Sequence, residues 1–470
     1  MTLGQPATAR PSRLAAIGDG LRRHRRWVQR IQWTVVVVYA VLLIVPACLP
    51  LPDHQAQILS HLTVFAAFVF WGLWWPFVLV SMVLLGRVWC GVFCPEGTLT
   101  EAASRVGLGR PIPAWIRWPG WPFVAFLGTT LYGQMASVYQ YPLGALVVLG
   151  GSTLAATLVG LVYGKGKRVW CRYLCPVRGV FGLLAKLAPV HFHTDQAAWV
   201  RFNRETRHQR PRSPAPDCGP LIPLKQLDST SDCHMCGRCS DYKSSIRLRL
   251  RAPASEVIRP PRDGQPTGWE FVLLLYGVLG VAVGSFQWTV SPWFVALKQT
   301  IATWLVSWDW LWPLTTTLPA WVLTNYPAQN DVFNLLDGVT LLLYITATGA
   351  LLGSVLAMLL ALANRLLGRW SWSRLWHLGY CLIPLAGLGV FLGLTGITVT
   401  LLGNDGIRLG WVNEARATLL ALGALASAVL AWKIAGGYAT GGRRMVAMVG
   451  PLLAILSILA AWWLMFWGWS

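Results

Sequence analysis

Eight of the ten cysteines in this 470-residue chain fall into patterns that can bind metal. Two belong to Arg87-Val88-Trp89-Cys90-Gly91-Val92-Phe93-Cys94-Pro95, and two to Arg168-Val169-Trp170-Cys171-Arg172-Tyr173-Leu174-Cys175-Pro176. Both phrases read Arg-Val-Trp-Cys-x3-Cys-Pro. On a helix that spacing puts two thiols on one face, one turn apart, and the proline then breaks the chain direction. One pair alone serves equally as a redox dithiol, a zinc half-site or packing; two matching pairs supply four thiolates, enough for one iron–sulfur cube. A third group, Cys233-His234-Met235-Cys236-Gly237-Arg238-Cys239, spaces three thiolates two residues apart. Zinc sites commonly use separated pairs, whereas this run suits a cube. Lys243 stands where ferredoxins usually place the next Cys-Pro, so Cys218 is the natural fourth ligand; a three-thiolate site with an exposed iron is the alternative. By count, Cys90, Cys94, Cys171, Cys175, Cys218, Cys233, Cys236 and Cys239 permit two [4Fe–4S] clusters, with pairs and loop kept apart or mixed.

Arg87, Lys167, Arg168, Arg172 and Arg238 lie within a few residues of these thiols. Cations there suit the net negative charge of a four-thiolate cube, and they fit equally as residues that keep a loop inside a membrane. Cys48 and Cys381, in or at the ends of apolar runs, read as small packing residues. His61 and His377 sit near such ends, where a haem or quinone role competes with a plain hydrogen-bonded histidine; His191 and His193 read as loop residues. There is no Cys-x2-Cys-His for haem attachment, no Gly-x-Gly-x-x-Gly and no Walker loop.

The elements that must hold these residues are membrane helices. Hydrophobic residues make up 55% of the chain and charged ones 12%, against about 25% charged in ordinary globular domains. Apolar windows of span length predict about nine transmembrane helices, near 33–51, 63–85, 121–138, 143–163, 269–290, 335–362, 378–403, 416–434 and 445–468. The third is short and flanked by prolines, so a re-entrant segment is its alternative. Net charge is +21, but the basic residues cluster between apolar runs; the positive-inside rule accounts for them, and no nucleic-acid partner is expected. Arg10, Arg13, Arg22, Arg23, Arg25, Arg26 and Arg30 put the N-terminus in the cytoplasm, and alternate loops then agree, with the cysteine motifs on the cytoplasmic side. The expected organisation is a basic tail (1–32), a four-helix membrane unit with both Cys-x3-Cys-Pro motifs (33–189), a small cytoplasmic ferredoxin-like loop (190–267) and a C-terminal membrane domain of about five helices (268–470). Pro211, Pro214, Pro216, Pro220 and Pro223 argue against long helices in the loop. In the last domain Trp288, Trp293, Trp304, Trp308, Trp310, Trp312 and Trp321 suggest helices lying on the outer surface. The repeated hairpin-plus-phrase suggests a pseudo-twofold axis along the membrane normal that makes the two phrases face each other.

Paired Cys-x3-Cys-Pro motifs at the ends of membrane hairpins, followed by the Cys233–Cys239 loop, resemble the membrane polyferredoxins of the NapH, NosR and CcoG type over roughly residues 33–245. The resemblance implies iron–sulfur ligation by Cys90, Cys94, Cys171 and Cys175 and by Cys233, Cys236 and Cys239. It implies an electron-transfer protein of the bacterial inner membrane of the quinol dehydrogenase component kind, working between quinol or a cytoplasmic donor and a respiratory or periplasmic redox partner. Two other readings stand beside it: a factor for copper reduction or cytochrome oxidase maturation, and a transporter with a structural metal loop. The chain departs from the family in carrying a single, incomplete ferredoxin motif.

Overall fold

The computed structural model describes residues 12–53, 56–205, 216–259 and 267–469; Arg10 of the basic tail and Pro211 and Pro214 of the loop lie outside them. The protein is mostly helical. Helix α1 (Arg13–Arg23) is capped by Ser12, whose hydroxyl accepts from the Ala15 amide. It is followed by α2 (Arg25–Cys48), α3 (Leu62–Leu85), α4 (Pro95–Val106), α5 (Trp121–Met135), α6 (Pro142–Val162), α7 (Val169–Tyr173) and α8 (Arg178–Ala185). Strands β1 (Val190–Thr194) and β2 (Ile246–Leu250) pair antiparallel, with Phe192 opposite Leu248. The C-terminal part holds α9 (Gly268–Gln287), α10 (Pro292–Ser307), α11 (Leu335–Leu366), α12 (Trp372–Asn404), α13 (Val412–Gly436) and α14 (Gly441–Gly468).

Eight of these, α2, α3, α6, α9 and α11 to α14, are long and apolar enough to cross a membrane. The expected third span is α5, whose 15 residues cover about 22 Å against about 30 Å of hydrocarbon. The count of about nine therefore becomes eight by length. Pro122 sets the start of α5, and the chain turns at Ser137, which takes a φ of 45°. The helix does not double back. It runs parallel to α9: Trp118 packs edge-on against Trp269 with centroids 5.0 Å apart, Gly277 faces Phe123 and Phe126, and Trp288 Nε1 donates to Gln134 Oε1 at 2.9 Å.

Apolar helices gain little from the hydrophobic effect in lipid, so close backbone contact must hold them together. Where α9 crosses α11, a Cβ on Gly280 would sit 2.6 Å from the Gly349 carbonyl, so only glycine permits the crossing. In α3, Pro76 has no amide to donate to the Gly72 carbonyl; Thr398 Oγ1 of α12 donates to it instead, at 2.9 Å. The turn there widens to a π-helix over Phe68–Trp74. A second π segment, Leu146–Gly150, interrupts the Pro142–Val162 helix, and wide turns of this kind often mark functional sites.

The basic tail is more than a tail, because α1 lies on the loop domain. Gly18 packs against Phe192, Ser240 and Leu248, and Ser240 Oγ donates to Asp19 Oδ1 at 2.7 Å. Phe192, Leu227, Cys233, Met235, Ile246 and Leu248 form this domain's own small core. His191 and His193, expected in a loop, stand on β1, because residues 190–194 find a pairing partner in β2, 56 residues on from Val190 to Ile246. Of the tryptophan-rich stretch, α10 and a turn at Trp312–Thr315 are helical, with Trp293, Trp304, Trp308 and Trp312 exposed. Cys381 is fully buried, as expected for packing, but Cys48 at the end of α2 is exposed.

Candidate metal centre

The two phrases fold alike at their cysteines. In each, the second cysteine's amide donates five residues back to the tryptophan carbonyl: Cys94 to Trp89 at 2.9 Å and Cys175 to Trp170 at 3.0 Å. Cys94 then caps α4, its Sγ accepting from the Gly97 amide at 3.4 Å, with Pro95 as the first helical residue. That places a thiol at the positive end of a helix.

Cys90, Cys94, Cys171 and Cys175 line one cavity of about 240 Å³. Its walls are apolar and aromatic, with Trp71, Trp74, Trp75, Phe126, Phe181 and Phe286 prominent, and it extends to Val138 and Tyr139 beyond the end of α5. Depth follows from the polar neighbours. Glu96 is held by Ser152 and by Trp170 Nε1 at 3.0 Å, and Tyr39 Oη bonds the Thr153 hydroxyl at 2.9 Å. Ser152 is midway along α6, roughly 15 Å from either end at 1.5 Å per residue. The first thiol group therefore sits well inside the helix bundle rather than at its rim.

Cys218, Cys233, Cys236 and Cys239 form the second group, where Cys239 feels the charges of the other three. The arm carrying Cys218 is pinned to the second phrase: the Arg168 amide donates to the Gly219 carbonyl at 2.8 Å, and Lys167 Nζ meets Asp217 Oδ1 at 2.8 Å. Burial pushes the Cys233 thiol up to about 12, so loading this group with metal would release protons. The eight cysteines thus sort into two unmixed sets of four, with Cys218 in the fourth place of the loop set. Among the described residues no three of these sulfurs approach within 4.8 Å of one another.

Charge gathers between the sets. Arg168 is 3% exposed at its side chain; its Nη1 donates to the Cys90 carbonyl at 2.6 Å and its Nε to Glu101 Oε2 at 2.8 Å. Its charge acts on Cys171 of one set and on Cys236 of the other. Glu101 also takes Arg238 at 2.7 Å and Arg105 at 2.5 Å. Burial alone would raise its carboxyl, but Arg168 and Arg238 outweigh this and hold it at about 2. Arg87, Arg172 and Arg178 face a single carboxylate, Asp232, which they hold at about 2 against its burial. Arg87 Nε, Arg178 Nε and both ring nitrogens of the buried His234 have no hydrogen-bond partner. Orphaned donors around an excess of positive charge are what a negatively charged, sulfur-rich group would satisfy.

Sequence reasoning missed Glu101, His234 and Gly91. His234 was in view inside the Cys-x2-Cys-x2-Cys run. Gly91 carried a signal too, since it is one of the three positions where the phrases differ, its counterpart being Arg172. A Cβ on Gly91 would lie 1.9 Å from the His234 carbonyl oxygen and 3.1 Å from the Cys236 amide. Glycine is what lets the loop rest on the first phrase. Gly91→Ala should destabilise the protein by about 1–3 kcal/mol through this overpacking and lower its iron content; unchanged melting and iron would contradict the contact. Of the histidines, His61 Nδ1 accepts from the Thr63 amide at 3.2 Å. His377 bonds Tyr438 Oη and the Val257 carbonyl, each at 2.7 Å, which leaves no ring nitrogen for a haem iron.

Residues 67–117 and 146–195 each match the family model of the 4Fe-4S binding domain; these two stretches carry the two phrases. Among curated relatives the chain is similar to YccM of Escherichia coli (strain K12), which is named for electron transport, at 24% identity over 44% of this chain and 62% of that one. It is also similar to the methylamine utilization ferredoxin-type protein MauN of Methylorubrum extorquens, at 31% identity over 24% of this chain and 43% of that one. MauN of Paracoccus denitrificans matches at 28% identity over 24% and 44%. The chain thus spans less than two thirds of the length of each of these relatives. No solved structure matches it. The matches support the resemblance to a membrane polyferredoxin-like family over the two stretches that carry the phrases.

Proposed function

We propose that this chain is a multi-pass protein of the bacterial inner membrane that holds two [4Fe–4S] clusters and passes electrons between a lipid-soluble quinone and a redox partner that docks at the loop domain. One observation carries the reading: eight cysteines sort into two sets of four, one lining an apolar cavity among the membrane helices and the other held in the small loop domain, with Arg168 between them. Bound clusters would supply one-electron transfer. The chain's part is to hold and screen them. Cys90, Cys94, Cys171 and Cys175 ligate the inner cluster; Cys218, Cys233, Cys236 and Cys239 ligate the outer one. Arg87, Arg172 and Arg178 offset cluster charge, and His234 can donate a ring N–H to a cluster sulfur. The cavity's aromatic walls admit a quinone ring, and Tyr39, Glu96 and Ser152 are polar groups able to orient it.

The end-to-end run of α5 beside α9 supports nine crossings in spite of the short helix, and loop charge then favours a cytoplasmic N-terminus with the loop domain on the same side. A cluster midway along α6 shortens the route to a quinone or to a partner across the membrane. The test is reoxidation of dithionite-reduced protein by a short-chain quinone. Rapid reoxidation is expected, and Val148→Trp, which fills the cavity, should slow it about tenfold, equivalent to ~1.4 kcal/mol of lost binding, while the cluster spectrum stays. Equal rates in the two proteins would reject the cavity as the quinone site.

A further inference from the structure

We propose that His191, His193 and Asp228 form a mononuclear site for a divalent first-row transition-metal ion, separate from both cysteine sets. Strand period places His191 and His193 on one face of β1, while Phe192 between them turns into the core that contains Cys233. Asp228, on the segment that leads to the third cysteine group, comes up to that face. Its Oδ1 lies 2.9 Å from His193 Nδ1 and 3.7 Å from His191 Nε2, and one donor atom from each of the three residues lies within 4.8 Å of the others. A tetrahedral ion with bonds of about 2.0–2.1 Å holds its donors about 3.3 Å apart, between the two distances observed. Small side-chain rotations suffice to close the set.

The donor chemistry agrees. His191 is 6% exposed, and its Nδ1 has no partner. Of the four arginines around the site, three are paired with carboxylates. Arg251 is committed to Glu256 at 2.7 Å, and Arg259 meets the other oxygen of Asp228 at 3.4 Å. Across the strand, Arg249 opposite His191 reaches Asp195 at 3.8 Å, and Arg247 opposite His193 is exposed. Two imidazoles and one carboxylate suit zinc, copper, nickel or iron rather than magnesium or calcium. His193 and Asp228 are partly exposed, which leaves a fourth position open to water or to an exchanging ligand.

The test uses the full-length protein, purified anaerobically in detergent, given one equivalent of Zn2+ and desalted, with zinc and iron measured together. One retained zinc is expected, with an X-ray absorption shell of nitrogen and oxygen at about 2.0 Å. His193→Ala and Asp228→Asn, both at partly exposed side chains, should each lose that zinc and keep their iron. Zinc retained equally by both variants, a sulfur shell at about 2.3 Å, or no zinc held by the native chain would each overturn the assignment. The iron count separates this outcome from a failure of the cluster reading.

Discussion

Replacing Cys171 by serine should lower the iron content from about eight to about four atoms per chain, as two cubes of four become one, and remove one of two signals from the EPR spectrum of the reduced protein. The expectation rests on the grouping of the thiols. Cys171 shares a cavity with Cys90, Cys94 and Cys175, so its loss breaks a set to which both repeats contribute. The remaining signal should persist, because Cys233 and Cys239 belong to the separate small core with Phe192, Leu227, Ile246 and Leu248. Cys381→Ser is the control: that thiol is fully buried among apolar side chains in the C-terminal helices, and its replacement should cost no iron. An unchanged spectrum in Cys171→Ser would mean that the repeated pairs are not ligands.

The second large effect is expected at Glu101. This carboxylate, 4% exposed, is shared by Arg168 and Arg238, whose side chains are 3% and 13% exposed. Removing one partner of a buried ion pair leaves an uncompensated charge and costs about 3–5 kcal/mol. Glu101→Ala should therefore lower the melting temperature strongly and loosen the loop domain, since Arg238 stands between Cys236 and Cys239 and Arg168 is on the second phrase. Acid should act the same way on the native protein. A carboxyl depressed to about 2 when folded, against about 4.3 when unfolded, contributes stability that is complete above about pH 4.3 and is lost as pH falls toward 2. Asp232, also held at about 2, adds to the same window. Thermal denaturation followed from pH 6 to pH 2 should show this slope, and Glu101→Gln should flatten it; equal slopes in the two proteins would remove Glu101 from the account.

Much of this site was legible in the sequence because its signals are local. Arg-Val-Trp-Cys-x3-Cys-Pro written twice, and a third Cys run beyond it, named the residues that the fold gathers into two sets. Cys218 was legible only by default, as the one thiol left to complete the loop set; that it is tied back to the second phrase through Gly219 and Arg168 is a long-range fact. Glu101 gave no warning, since a glutamate on an amphipathic stretch looks like a solvated face until Arg168 and Arg238 arrive from 67 and 137 residues away. Helix α5 failed the length test because the residues that extend its reach, Trp118 before it and Tyr139 after it, lie outside its hydrogen-bonded turns. Likewise β1 was invisible: five residues reading Val-His-Phe-His-Thr become a strand only through β2 on the far side of the cysteine loop. Nor does composition reveal a cavity, which depends on how Trp71 and Trp74 of α3, Phe126 of α5 and Phe286 of α9 meet.

Two [4Fe–4S] clusters in two unmixed four-cysteine sets are the central claim, and metal analysis of anaerobically purified protein tests it most directly. The account predicts about eight irons and about eight acid-labile sulfides per chain, with two interacting EPR signals on reduction. Zinc without sulfide in the cysteine sets would contradict it.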